Sequence, residues 1–290
     1  MMGAMTYWLN GEYRQDTAAI DIADRGFLLG DGVFETVLLT DSAPSFLAEH
    51  VERLRGGAAA LGFAAPTSAA EIATVINELA LRNGAASGAG SARITLTRGA
   101  GARGLAPTAG AIPSLLVTAA ALAQADVSPA RLMISAHRRN ERSVVSRWKT
   151  LNYLDNIFAH QEATAAGADD AVMLNSAGRV ACASAANIFL IRDGEVTTPA
   201  IDEGAMPGIV RGVIVAAARA NGLSVNEAPV ERVDLSGATL FLTNSLVGLR
   251  PACLNGAPRG DAAGQEIFNA LETWYQAALN ADLDSQKAAK

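Results

Sequence analysis

Short turn signals decide most about what this chain can fold into. Asn10-Gly11 lies inside "TYWLNGEYR", Ser176-Ala177-Gly178 inside "VMLNSAGRVAC" and Asp193-Gly194 inside "NIFLIRDGEVTTP". Each is flanked by β-branched or aromatic runs, and turns of two or three residues join antiparallel neighbours. "VFETVLLTDSAPSF" reads as two more strands about a polar turn, "ARITLTRG" and "SLLVTAAAL" as a strand pair, and "TLFLTNS" as a short apolar strand. Helical spacings run between them. Leu47, Val51, Leu54 and Ala58 share one face, and Ser68 caps a second helix three residues before Glu71, with Asn83-Gly84 at its end. "GIVRGVIVAAARANG" opens after Pro207-Gly208, and "QEIFNALETWYQAAL" is amphipathic. The pattern is α+β with much antiparallel sheet and no internal repeat.

A chain of 290 residues, half of them apolar, is long enough for two domains. The small polar segment "AQADVSPA" places the boundary: residues 1–120, a linker at 121–130, and residues 131–290. The Ala/Gly-rich patches "GAASGAGSA" and "RGAGARG" read as loops. A formal net charge of −6 with scattered basic residues argues against nucleic acid or an anionic membrane as the main partner. The densest basic stretch, "HRRNERSVVSRWK", reads either as a solvated loop or as a site that attracts anions. Cys182 and Cys253 form no disulfide framework, which points to a reducing cytoplasm. "MMGAM" reads as ordinary chain start, with no secretory signal and no apolar run of membrane-spanning length. His50, His137 and His160 are far apart and lack metal-ligand spacing, so no metal is expected.

The stretch "SRWKTLNYLDN" carries the chemistry. Read as a helix from Asn152 onward, it puts Lys149 at or just before the first turn, where the helix dipole disfavours a cation. A single Lys is most often a solvated surface residue. A Lys can also be a covalent catalyst toward carbonyls, provided it sheds its proton, which apolar neighbours favour. A candidate anion cup accompanies it. "MPGIVRG" places the free N–H groups of Ile209 and Val210 at a helix start, and "LTNS" ends a strand with Thr243, Asn244 and Ser245. Arg53, on a helix, offers a two-pronged donor, although a solvated face and an ordinary helix cap explain these features equally well one at a time. A nucleophilic Lys together with a phosphate cup is what pyridoxal 5'-phosphate requires.

"DRGFLLGDGVFET", "EHVERL", "TRGAGARG", "KTLNYLDN", "AANIFL", "MPGIVR" and "TNSLVGLRP" follow one another across nearly the whole chain. In that order they resemble the class-IV aminotransferases, the fold-type IV group of pyridoxal-phosphate enzymes. The resemblance implies a two-domain enzyme, with antiparallel sheet plus helices in the smaller N-terminal domain and a barrel-like sheet with helices in the larger C-terminal one. It implies that Lys149 carries the cofactor as a Schiff base and moves the proton. Arg53 would hold the phosphate, with Ile209, Val210 and Thr243 completing the cup. Tyr153 would approach the cofactor ring or its hydroxyl, and Arg98 would meet a substrate carboxylate. It also implies a homodimer acting on an amino-carboxylate.

One position departs from the pattern. The strand before Asn187 ordinarily carries a Glu that pairs with the cofactor's ring nitrogen, and the alignment puts Cys182 there. A thiol is a weak donor and acceptor, so the electron sink should be poorer. "TNSLVGLRP" and "ASAANIF" look most like the aminodeoxychorismate lyases, which release pyruvate and leave 4-aminobenzoate for folate. Aromatisation drives that step, so a weak sink harms it less than transamination. A branched-chain or D-amino acid aminotransferase is the alternative, and a cofactor-binding protein with weak or no catalysis is a further one.

Overall fold

The computed structural model describes residues 5–15, 17, 19–123, 128–256 and 260–288. Residues 1–4 of the "MMGAM" start, and 124–127 of the expected linker, lie outside the described residues. The chain divides into two compact units, one of Met1–Ala125, Trp148–Asn152 and Asp282–Lys290, the other of Asp126–Arg147 and Tyr153–Ala281. Trp148–Asn152, which contains Lys149, and the residues from Asp282 onward thus group with the first unit although the sequence boundary would place them in the second part.

The first unit carries β1 (Tyr7–Leu9), β2 (Glu12–Arg14), α1 (Arg25–Leu29), β3 (Gly32–Thr40), β4 (Ala43–Pro44), α2 (Leu47–Ala60), α3 (Ala69–Arg82), β5 (Ala89–Thr97) and β6 (Ser114–Ala121). Its sheet runs β2-β1-β6-β5-β3-β4, and every neighbouring pair is antiparallel. Asn10 (φ 50°) and Gly11 (φ 98°) both adopt the left-handed region that a tight two-residue hairpin demands. Ser68 and Glu71 form the expected capping box at the start of α3. Phe46, which precedes α2, has no side-chain cap of its own. Its backbone N–H donates instead to Asp282 Oδ2 at 2.8 Å, so a carboxylate from the far end of the chain serves that helix start. Val33, Val37 and Leu39 of β3 pack against Leu47, Val51 and Leu54 of α2 and Ile72, Ile76 and Leu79 of α3.

The second unit carries β7 (Ala130–Arg139), α4 (Val144–Arg147), α5 (Leu154–Ala165), β8 (Asp170–Asn175), β9 (Val180–Ala183), β10 (Asn187–Arg192), β11 (Glu195–Pro199), α6 (Ile209–Ala220), β12 (Val225–Ala228), β13 (Thr239–Asn244), β14 (Gly248–Leu254) and α7 (Ala262–Ala288, whose last residues group with the first unit). Its sheet runs β12-β11-β10-β13-β14-β7-β8-β9. Three of its pairings are parallel: β11 with β12, β14 with β7, and β7 with β8. Parallel neighbours need long crossovers, and α5 and α6 supply two of them. The sheet curls, so that Val180 N on edge strand β9 donates to Val230 O, just past the opposite edge strand β12, at 2.8 Å. Leu132, Val172, Leu174, Ile188, Leu190, Leu240 and Leu242 fill the space this encloses. Ala159 and Ala163 of α5 pack with Ala171, Met173 and Cys182 in a separate cluster.

Candidate active site

In the first unit, Lys149 belongs to a short extended segment and not to a helix start. α5 begins at Leu154, with Tyr153 at its N-cap position. The expected helix therefore starts two residues later than Asn152, and Lys149 lies too far before its first turn for the dipole argument to apply. Phe34 N donates to Lys149 O at 2.8 Å and Leu151 N to Gly32 O at 2.9 Å, while Thr150 bridges Val33. These three residues extend the first sheet along the start of β3. The register sets Lys149 opposite Phe34, on the same face, and Lys149 Nζ lies 4.4 Å from the centre of the Phe34 ring. The Arg93 guanidinium lies over that ring too, at 3.9 Å. Trp148 points the other way, toward α2: a Cβ added at Gly56 would come within 3.0 Å of its ring.

The neighbouring residue of β3, Glu35, faces α2 and has no exposed surface. Arg53 grips it with Nε (2.8 Å) and Nη2 (2.6 Å), and His50 Nδ1 donates to it at 2.7 Å. Burial pushes the Glu35 carboxyl up, but hydrogen bonds from Arg53 and His50, and their charge, outweigh it and hold it below the usual range. Arg53 and Lys149 are thus fixed to consecutive residues of one strand, on opposite faces. Nothing in the sequence signals this use of Glu35; a Glu in a strand reads as a solvent-facing residue.

Arg98 is also buried and committed. It donates to both oxygens of Asp31, at 2.8 and 3.2 Å, and to the carbonyls of Leu61 and Gly62. Asp31 also accepts from Arg25 at 2.8 Å. Burial raises the Asp31 carboxyl, yet bonds from Arg98 and then Arg25 prevail and hold it low. An arginine so neutralised is poorly suited to the expected substrate-carboxylate role. Arg103, five residues on, is exposed and makes no hydrogen bond or ion pair among the described residues.

The second unit assembles Ile209, Val210 and Thr243. No side chain caps α6 at Gly208, so the helix opens on the N–H groups of Ile209 and Val210 without intrahelical acceptors. Thr243 is buried and its hydroxyl oxygen has no partner among the described residues. Across the β10–β13 ladder Thr243 pairs with Asn187, which donates from Nδ2 to Met206 O at 2.8 Å. A Cβ on Gly208 would stand 2.0 Å from Asn187 Oδ1, so only glycine fits where the helix begins. Asn244, by contrast, spends its Oδ1 on the N–H groups of Leu246 and Val247.

Cys182 is buried on β9, opposite Met173. Burial pushes its thiol up, the Arg139 charge opposes this and Asp170 adds to it. Asp170 Oδ1 is taken by the backbone of Ala171 and by Ser184. In the basic stretch singled out from the sequence, Arg138, Arg142 and Arg147 are exposed while Arg139 is buried. Arg139 donates to Asn156 Oδ1, Ser146 O and Gly204 O, at 3.0, 2.8 and 3.3 Å. These are three neutral oxygens; among the described residues it has no ion pair.

Residues 32–254 match the family model described as amino-transferase class IV. The chain belongs to the class IV aminotransferase family. It is 31% identical over 268 residues to D-alanine aminotransferase of Listeria monocytogenes, covering 90% of this chain and 91% of that protein. It is 27% identical over 273 residues to aminodeoxychorismate lyase of Bacillus subtilis, covering 93% of each. The crystal structure of a branched-chain aminotransferase from Thermoproteus uzoniensis, solved with norvaline, superimposes with a TM-score of 0.85 at 26% identity, over 96% of each chain. Class IV members are pyridoxal-phosphate enzymes, and the α6 start with the unpartnered Thr243 hydroxyl fits such a cofactor's phosphate. Among the described residues, no helix is long and apolar enough to cross a membrane.

Glu35→Gln should cost about 3–5 kcal/mol at neutral pH, because it strands the buried Arg53 charge. A carboxylate held low contributes stability above its unfolded value, 4.5 for Glu, and loses it as pH falls through the folded value. The wild type should therefore weaken from about pH 4 downward, and the Gln variant less steeply; denaturation midpoints across that range give the answer, and a Gln variant as stable as wild type at pH 7 refutes the pairing. Thr243→Val should weaken cofactor retention by about 1.5–3 kcal/mol, the worth of a hydrogen bond to a charged group. The apo protein should be no less stable, since a lone buried hydroxyl is removed. Unchanged cofactor affinity would take Thr243 out of the cup.

Proposed function

We propose that the chain is a pyridoxal-phosphate enzyme acting on an amino-carboxylate, and that its activity is 4-amino-4-deoxychorismate lysis with release of pyruvate. The observation that carries the choice of lyase is Cys182: a buried thiol, beside the charge of Arg139, at the position where the family pattern has a carboxylate. When bound, the cofactor supplies an aldehyde for amines and a conjugated ring that accepts electrons released at the substrate's α-carbon.

The residues divide the work as follows. Lys149 Nζ bonds the cofactor and later holds and returns the proton at the α-carbon, and its backbone bonds to β3 keep it in place. Ile209 N–H, Val210 N–H and the Thr243 hydroxyl bind the phosphate, and Arg53, held straight by Glu35, adds a guanidinium N–H donor, its charge being balanced by that carboxylate. Tyr153, at the α5 cap, orients the ring. Arg103 receives the substrate carboxylate, since Arg98 is spent on Asp31. Neither Cys182 nor Arg139 can keep a ring nitrogen protonated, so reactions that need a strong sink should be slow. A D-amino acid or branched-chain aminotransferase is the second reading, and the 31% identity to D-alanine aminotransferase favours it. A homodimer and a cytoplasmic location complete the proposal.

Borohydride reduction of the holoenzyme followed by peptide mapping should mark Lys149, and a mark on any other lysine removes it from this role. Cys182→Glu should remain folded, because Arg139 can pair with the new carboxylate, and should raise transamination of simple amino acids at least about tenfold, roughly 1.4 kcal/mol of barrier. Pyruvate release from aminodeoxychorismate should change less. A folded, cofactor-loaded variant with no gain in transamination would show that the thiol is not the missing acid's replacement. Wild-type enzyme that turns over D- or L-amino acids but not aminodeoxychorismate would favour the second reading.

A further inference from the structure

Arg25 is buried in the first unit, and its whole guanidinium is used on one carboxylate and one loop. Nε donates to Asp31 Oδ2 at 2.8 Å. Nη1 donates to Gly104 O at 2.9 Å and, more weakly, to Ala106 O at 3.4 Å, while Nη2 donates to Leu105 O at 2.9 Å. Three successive carbonyls are thus turned inward on one cation. The Leu105 side chain is left outside, 84% exposed. The backbone of the loop is tied as well, through Arg25 N to Gly99 O (2.9 Å), Gly101 N to Ala23 O (3.1 Å) and Ala102 N to Thr108 Oγ1 (2.8 Å). At its root the chain runs so close to its own return that a Cβ on Gly99 would stand 1.9 Å from Ile112 O. Asp31 ties this clamp to Arg98, which in turn holds the carbonyls after α2.

Arg103 is the residue this loop presents. Its backbone neighbours are pinned on both sides while its guanidinium stays exposed, without a partner among the described residues. A cation carried on a fixed backbone gives up less freedom when it captures an anion than one on a loose loop.

We propose that Arg25 is a positioning residue for substrate recognition: through the carbonyls of Gly104, Leu105 and Ala106 it sets where Arg103 stands, and so how tightly the substrate carboxylate is held. This rests on the reading of Arg103 given above. Lysine cannot replace Arg25, because three donors on one tetrahedral nitrogen cannot span a carboxylate and three carbonyls that a planar fork reaches.

The test compares Arg25→Lys, Arg103→Ala and the double variant as holoenzymes with their best amino-carboxylate substrate. Arg103→Ala should raise KM at least about tenfold, one factor of ten being about 1.4 kcal/mol. Arg25→Lys should raise KM similarly with kcat little changed, and the double variant should be no worse than Arg103→Ala alone. Trypsin should cut after Arg103 several-fold faster in Arg25→Lys than in wild type, a readout independent of activity. If Arg103→Ala leaves KM unchanged, the carboxylate reading falls and this inference with it. If Arg103→Ala raises KM but Arg25→Lys does not, or the two effects multiply, this inference alone is overturned. Should Arg25→Lys fail to fold, Gly101→Ala takes its place, since its methyl would press to 3.0 Å on both Arg25 Cδ and Thr108 Oγ1 without removing a charge.

Discussion

Glu35 stands between Val33 and Val37 in the row of β3 that faces α2, where a lone ionised carboxylate would cost several kcal/mol. It persists because His50 and Arg53, three residues apart on α2, both reach it. Such a buried pair adds little net stability over an apolar substitute, but it admits only one rotation of α2 against the strand. That rotation fixes Arg53. The same strand, one residue earlier, fixes Phe34, and through Phe34 the lysine that pairs with it. A shift of one residue in the β3 register would turn Glu35 to the opposite face and Phe34 into the core.

The candidate site residues of the two units differ in their electrostatics. In the first, arginines are held by carboxylates, Arg53 by Glu35 and both Arg25 and Arg98 by Asp31. Charge there is compensated before any ligand arrives, and geometry is what the pairs supply. In the second, the cup we propose for the phosphate consists of neutral donors, the N–H groups at the α6 start and one hydroxyl. Neutral donors on a rigid frame cost less to bury empty than a bare cation does, while the helix dipole still favours an anion.

Local chemistry was legible in the sequence wherever it is local in the structure. Asn10-Gly11, Asp193-Gly194, and the Ser68–Glu71 capping box form where the turn and cap rules put them. The family motifs also carried the fold class, since α+β with a curled second sheet is what the class IV fold provides. What escaped depends on partners distant in sequence. β7 is masked by its basic end, "AHRR", and β14 by Pro251, which would ordinarily argue against a strand between two neighbours. The parallel pairings of β7 leave no local signature, because they are made with strands that arrive much later. Lys149 looked like a helix-start residue because the polar "TLNY" resembles a cap, whereas its backbone is claimed by β3. Arg98 looked available because Asp31 lies 67 residues earlier.

The excursion of Trp148–Asn152 into the first unit has a kinetic consequence. The bond from Phe34 N to Lys149 O closes a loop of more than a hundred residues, most of which must already be ordered or tolerate being tethered. The chain on either side of the segment belongs to the second unit. The Lys149 amine therefore acquires its setting only after both ends of that five-residue strap are held and the strap finds the edge of β3. During synthesis the first unit would emerge with that edge bare, a length of unpaired backbone waiting for a strand that the ribosome has yet to make.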